Sequence, residues 1–405
     1  MHDRDPNSGA AESRAISSSS QLAATPEIRR SPLDEDEGQL IPGVGLCLSG
    51  GGYRAMLFHV GSLWRLNDAG YLPRLDRISS VSGGSITAAA LAVQWSELTF
   101  DEAGKAGNFD ELVVRRLRDF AHNTIDIPAV LLGALAPRVT INGHLARSYR
   151  RLVGKLTLAD LSERPEFVFD ATSLQSGDLW RFTHQVQGDW RVGTQRQPKT
   201  PLARVVAASS AFPPILSPAR LSLPGGTLQP GPDPEVNRPP YTSRVVLADG
   251  GVYDNLGLEA VWSRYTQVLI SDAGGHMGNV ARPTSFWPLQ VLRVLTVIDN
   301  QVRDLRKRQA VQSFIDGQRS GAYWGIRSHV RDFHLPQPII EPSDAAVRAL
   351  AGVPTRLARI DDPLQERLIN WGYAICDTAL RAHVDSAMPP GKLPYPERSL
   401  GESRG

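Results

Sequence analysis

A chain of 405 residues, 41% hydrophobic and 21% charged, has the composition of a globular protein with a core large enough for one α/β domain or two smaller ones. Its net charge of +2 gives no global field for nucleic acid, and two distant cysteines, Cys47 and Cys376, form neither a CxxC pair nor a disulfide framework; both are expected to be buried hydrophobes. The N-terminus lacks an apolar signal segment and no run approaches the ~20 apolar residues needed to cross a bilayer, so the expected setting is the cytoplasm, with any membrane contact peripheral.

Residues 1–38 are rich in Ser, Ala, Asp and Glu without periodicity and read as a disordered tail. Next, "VGLCLSG" predicts a strand, and "YRAMLFHVGSLWRLNDAG" a helix with Met56, Val60, Leu63 and Trp64 at helical spacing and Gly70 just past its end. "RISSVS" and "GGSITAAALAVQW" repeat the strand–turn–helix order of a mostly parallel sheet covered by helices. A helix is expected over Glu111–Phe120, and the apolar "IPAVLLGALAP" (127–137) reads as a buried segment or an interfacial flap. "FVFDATSL" and "WRFTHQV" predict an antiparallel strand pair, and "PLARVVAASSAFPPI" a helix ended by Pro213 and Pro214. The Pro- and Gly-dense segment from Leu223 to Pro240 predicts a long loop. "RVVLADGG" and "QVLISDAGG" predict two buried strands, each ending in Asp before glycines, and the remainder reads as helical. The expected organisation is the tail, a core at 39–285, and a mainly helical part at 286–405 packed on the same domain.

Three turns carry chemistry. Gly50, Gly51 and Gly52 lie between a strand and a helix, where bare backbone N–H groups can face an oxyanion and a following Arg54 adds charge. A phosphate loop fails on the letters: "GGYRA" has no Walker Lys, and GxGxxG started at Gly43 meets Leu48 where Gly is required. Ser82, in "SSVSGGS", sits as the serine of a nucleophile elbow, with Gly84 in place and Ser80 where the first glycine is usual. The plainer reading is a helix cap. Asp249 in "LADGG" and Asp272 in "LISDAGG" look alike as bases or as turn formers, and the letters do not separate them. Among nine histidines, His59 reads as core and His276 as the best third member of a triad.

In this order, "SGGGYR", "SVSGGS" and "ADGG" resemble the patatin-like phospholipase family, related to the cytosolic phospholipases A2; "VVAASSAFPPI" matches a fourth family feature. The resemblance covers about Val44 to Gly275. It implies a three-layer α/β fold with a mostly parallel central sheet and helices on both faces. It also implies a Ser82–Asp249 dyad, with Asp249 rather than Asp272 as base, and an oxyanion hole at Gly50, Gly51 and Gly52 supported by Arg54. The implied activity is hydrolysis of lipid or phospholipid acyl esters with no metal or organic cofactor. Acyl transfer from the same acyl-enzyme, and a lipid- or protein-binding module with a vestigial pocket, are the alternatives. Basic "VRDLRKR" (Val302–Arg308) reads as a solvated helix face or a surface for anionic head groups.

Overall fold

A computed structural model describes residues 40–125, 141–275 and 277–400. The predicted tail, the apolar segment at 127–137 and His276 lie outside the described residues.

Strand β1 (Ile41–Leu48) leads into α1 (Gly52–Asp68), and β2 (Arg77–Ser80) into α2 (Gly83–Gln94), as the repeated grammar predicts. A π turn at Asp110–Val114 runs into α3 (Arg115–Ala121), followed by α4 (Ile141–Val153). Then come β3 (Glu166–Ser173), β4 (Leu179–Phe182), β5 (Val186–Asp189), β6 (Gly193–Arg196), α5 (Leu202–Ser209), β7 (Ala219–Ser222), β8 (Gln229–Pro230), β9 (Arg244–Asp249) and β10 (Tyr265–Asp272). The C-terminal part contributes α6 (Trp287–Ile315), β11 (Ser320–Gly325), α7 (Asp344–Ala351) and α8 (Asp362–His383).

One sheet runs β11-β10-β1-β2-β3-β4-β5-β6-β8, with β9 paired to β3 and β7. Strands β11, β10, β1, β2 and β3 are parallel, and pairing turns antiparallel from β3 outward. In β1, Leu46 and Leu48 face one apolar layer while Cys47 faces another; in β10, Leu269 joins the first and Val268 and Ile270 the second. Period-two alternation with both faces buried requires cover on each side, so the molecule has three layers, α/β/α. Cys47 and Cys376 are both free and buried.

Three expectations need correction. Helix α5 stops at Ser209, well before Pro213, where the end of β9 binds the chain: Gly250 N–H donates to Ser209 O at 3.3 Å and Asp249 N–H to Ala211 O, just past the helix, at 2.9 Å. The long loop is interrupted by β8, which pairs with Gly193 and Thr194 of β6. The C-terminal part is not helical throughout, since β11 extends the sheet beside β10.

Helix α1 is buried on nearly every side, and its buried polar residues find partners: His59 with Ser271 and Ser49, Arg65 with Asp377, and Asn67 with Ala106. It crosses α8 at two glycines. A Cβ on Gly61 would run into the Ile369 carbonyl, and one on Gly372 into the Phe58 carbonyl. Beside this crossing the buried Arg65 Nε meets Asp377 Oδ1 at 2.7 Å. Gly61→Ala should therefore lower stability. The gain in helix propensity is about 1 kcal/mol, whereas overpacking a close backbone contact costs about 1–3 kcal/mol and the neighbours here are main chain. Thermal denaturation should give a lower Tm for the variant.

Candidate functional site

The two glycine-flanked turns follow adjacent parallel strands, β1 and β2, and meet at their carboxyl edge. A Cβ on Gly83 would collide with Gly52 O and stand 2.9 Å from Gly52 N, so the N-termini of α1 and α2 abut. Their positive ends converge on one spot.

Ser82 immediately precedes α2 with φ 52° and ψ −115°, a left-handed backbone that a non-glycine residue adopts only under strain. Its side chain makes no helix-capping hydrogen bond, so the capping explanation fails. Surrounding hydroxyls hold the turn instead. Ser82 N–H donates to Ser209 Oγ at 3.1 Å, Ser209 Oγ pairs with Ser85 Oγ at 2.8 Å, and Ser85 Oγ donates to Ser80 Oγ at 3.1 Å. Ser80 in turn donates to the Val168 carbonyl at 3.0 Å. Its side chain thus turns sideways onto β3, leaving the close approach of strand and helix to Gly84, whose Cβ would strike the Leu48 carbonyl.

Asp249 reaches the same place from the opposite direction. Strand β2 ends with Ser80 opposite Phe169 of β3; β9 ends with Asp249 opposite Ala171, on the edge that β2 has just vacated. Two residues past Ser80 is Ser82, so strand register brings Ser82 and Asp249 head to head. Strand β9 runs antiparallel to β3 and delivers its carboxyl end into the gap.

The Asp249 carboxyl is buried, and burial pushes its pKa up to about 7, with Asp299 adding to the rise. The Gly251 N–H, donating to Oδ1 at 2.8 Å, and the Ser82 hydroxyl pull it down. Oδ2 is buried without a partner at full hydrogen-bond geometry, so the Ser82 contact is felt electrostatically but is loosely aligned. Asp272 is different. Tyr323 OH donates to its Oδ2 at 2.7 Å and Gly274 N–H to its Oδ1 at 2.8 Å, and with nearby Arg303 these hold its pKa below the ordinary value despite burial. One carboxylate is engaged on both oxygens; the other keeps an oxygen open.

His59 is core, as its apolar surroundings suggest. Its nitrogens are shared with Ser271 Oγ at 2.8 Å and Ser49 O at 2.9 Å, and burial lowers its pKa to about 4.

The glycine turn departs from expectation in what surrounds it. Gly51 has φ 143° and Gly52 φ 62°, so both need glycine for conformation alone. Gly50 N–H already donates to the Asn255 carbonyl at 3.0 Å, which removes it as a free donor. A Cβ on Gly50 would meet Asn255 Oδ1 at 2.5 Å, and one on Gly52 the Arg356 backbone. Protein fills much of the space that the letters reserve for substrate. Among the described residues Gly51 and Gly52 N–H have no turn, loop or cap partner. Arg54 lies beside the turn, where a Cβ on Gly51 would stand 2.8 Å from its Nη2. Its Nε and Nη2 donate to the Ala273 carbonyl at 3.2 and 3.0 Å and Nη1 to the Val353 carbonyl, so it also ties two loops together. Burial lowers its pKa to about 10.

Gly51, Ser82, Asp249 and Arg54 all line a cleft of about 650 Å³. Phe212 and Ile215, and Thr296, Asp299, Asn300 and Arg303 of α6, line the same cleft. This volume suits a small ligand or one end of a longer one. Asn255, the 353–357 loop and the α6 face are contributions that no motif announced. Within "VRDLRKR", Arg303 donates to the Gly275 carbonyl, Arg306 pairs with Asp254 and Glu259, and Lys307 lies over the Tyr323 ring. Those three cations are engaged within the protein, while Arg308 is exposed. Among the described residues no group of three or more His, Cys, Asp or Glu converges on a metal site, and no helix is long and apolar enough to cross a membrane.

The family description of patatin-like phospholipases matches residues 46–262, more than half the chain and both glycine turns with Asp249. The chain belongs to the patatin-like phospholipases. No curated protein matches it. Among solved structures, human GIVD cytosolic phospholipase A2 aligns at TM-score 0.47 and 13% identity, over 85% of this chain and 61% of that one. The same human protein in complex with methyl gamma-linolenyl fluorophosphonate aligns at 0.48 and 16%, over 84% and 58%. VipD from Legionella pneumophila aligns at 0.36 and 15%, over 85% and 68%. This patatin-like chain spans about three fifths of the human chains. The family match stops before β10, so Asp272, α6, β11 and α8 lie outside it.

Proposed function

We propose that the chain is a serine-dependent lipid acyl hydrolase with Ser82 as nucleophile and Asp249 as general base. One observation carries this reading: a strained serine faces a buried carboxylate that has a free oxygen and a pKa of about 7. Asp249 accepts the Ser82 proton as Oγ attacks the acyl carbonyl, then returns it to the leaving alkoxide. Water, activated by the same carboxylate, releases the fatty acid. The Gly51 and Gly52 N–H groups serve the oxyanion, at about 3 kcal/mol per donor in sites of this kind. Gly50 shapes the turn, and Arg54 acts through the Ala273–Gly275 and Val353 loops as a positioning residue.

The test is turnover of a soluble p-nitrophenyl ester and of phospholipid in mixed micelles, with product analysis. Release of free acid from both supports lipid acyl hydrolysis; a new ester formed with an added alcohol and little free acid would make the protein a transferase. No turnover of either ester would return the chain to a binding role. Arg54→Lys should lower kcat/KM by about tenfold and Tm by a few degrees, since one ammonium cannot span the carbonyls that a planar fork reaches. Paired activity and melting measurements check this.

A further inference from the structure

The first half of α6 is a helix with apolar residues and no cover. Trp287, Leu289, Val291, Leu292, Val294 and Leu295 are all exposed, Trp287 to 70% and Leu295 to 55%. At about 100° per residue they cover a broad sector, somewhat over half the circumference, with Gln290 and Arg293 on the other side, and an apolar face this wide is ordinarily buried. Thr296, Asp299, Asn300 and Arg303 then form one face along the cleft, so the bare segment stands directly at its mouth. Phe212 and Ile215, which also line the cleft, are more than half exposed.

We propose that the Trp287–Ile298 segment inserts into the interface of a lipid bilayer carrying anionic head groups and so seats the cleft mouth against its substrate. The inference rests on the hydrolase reading for the nature of that substrate. Four features select lipid over protein. A broad apolar face with Gln290 and Arg293 opposite it is the form of a helix lying in the interface, its apolar side in the acyl chains and its polar side toward the head groups. Between residues 273 and 298 the chain carries Arg282 and Arg293 and no Asp or Glu, which complements an anionic surface. Phe286 and Trp287 sit at the exposed start of the helix, and aromatic rings of this kind favour the water–hydrocarbon boundary. Finally, the segment is about 18 Å long at 1.5 Å per residue, too short to cross ~30 Å of hydrocarbon yet long enough to lie in the interface.

Vesicle flotation with the full chain tests this, using mixed phosphatidylcholine–phosphatidylglycerol vesicles with brominated acyl chains. Wild type and Ser82→Ala should both float, and the quenched tryptophan emission should vanish in Trp287→Phe. The Leu289→Glu/Leu295→Glu double variant, at positions that do not line the cleft, should lose at least about tenfold in vesicle affinity, or 1.4 kcal/mol. Its hydrolysis of vesicle lipid should fall in parallel, while soluble-ester turnover and Tm stay near wild type. Wild type left at the bottom of the gradient, quenching independent of Trp287, or unimpaired flotation of the double variant would overturn the proposal. So would a dimer dispersed by the same substitutions with no vesicle binding. Flotation intact with no ester turned over would instead sink the hydrolase reading and leave the lipid contact standing.

Discussion

Ser82→Ala is expected to lower kcat/KM for a soluble ester by at least about a thousandfold while leaving Tm close to wild type. Its Oγ is the one atom that forms the acyl-enzyme in this mechanism, whereas the turn itself is held through the Ser82 N–H, which alanine retains. Alanine also keeps the backbone cost of φ 52°, so no strain is released. Ser82→Gly supplies the contrast. It should be equally inactive but more stable, because a left-handed residue costs a non-glycine about 1 kcal/mol or more and costs glycine almost nothing. Kinetics and melting curves on the two variants separate chemistry from strain.

Asp249→Asn should lose activity and gain stability together. Amide nitrogen and oxygen cannot take the serine proton at neutral pH, and removal of a positioned base costs about 10²–10⁴-fold. In the wild type, kcat/KM should rise about tenfold per pH unit below the base's pKa and level off above about 7. Stability runs the other way. The unfolded carboxyl releases its proton near 3.8 and the folded one near 7, so between those values the folded state binds more protons. Stability therefore falls as pH rises through that window and is flat above it. A shift of this size corresponds to something on the order of 4 kcal/mol at pH 8. Asp170, raised by burial to about 7 as well, adds a slope of the same sign. The Asp249 share is accordingly the part that disappears in Asp249→Asn, read as the difference between wild-type and variant Tm at pH 5 and pH 8. Equal differences at the two pH values would mean that the folded carboxyl is already ionised at pH 5, and the raised pKa of the base would go with it.

Much of this site was legible in the sequence because it is local. Strands β1 and β2, the helices that follow them and the need for glycine at residues 51 and 52 all follow from short-range period and backbone freedom. Ser82 was visible for the same reason. What the letters could not give is how distant segments share an edge. "RVVLADGG" reads as a buried strand in either direction, and only pairing with β3 reveals that it runs antiparallel into the gap beyond β2. The choice between Asp249 and Asp272 likewise depends on Tyr323 and Arg303, which approach from the C-terminal part. Arg54 carries its motif signal correctly but spends its donors on Ala273 and Val353, carbonyls more than 200 residues away in the chain. Strand β11 escaped because "SGAYWG" is short and glycine-framed, with no alternation to mark it. The apolar start of α6 was readable as composition, but its exposure was not, since a buried helix has the same letters.

The central claim is that Ser82 is an activated nucleophile and Asp249 activates it. Labelling with a fluorophosphonate probe, followed by peptide mapping, tests this without assuming a substrate. The mechanism predicts label on Ser82 in the wild type, none in Ser82→Ala, and labelling slowed by at least about a hundredfold in Asp249→Asn. Label on a different residue, or wild-type labelling rates in Asp249→Asn, would contradict it.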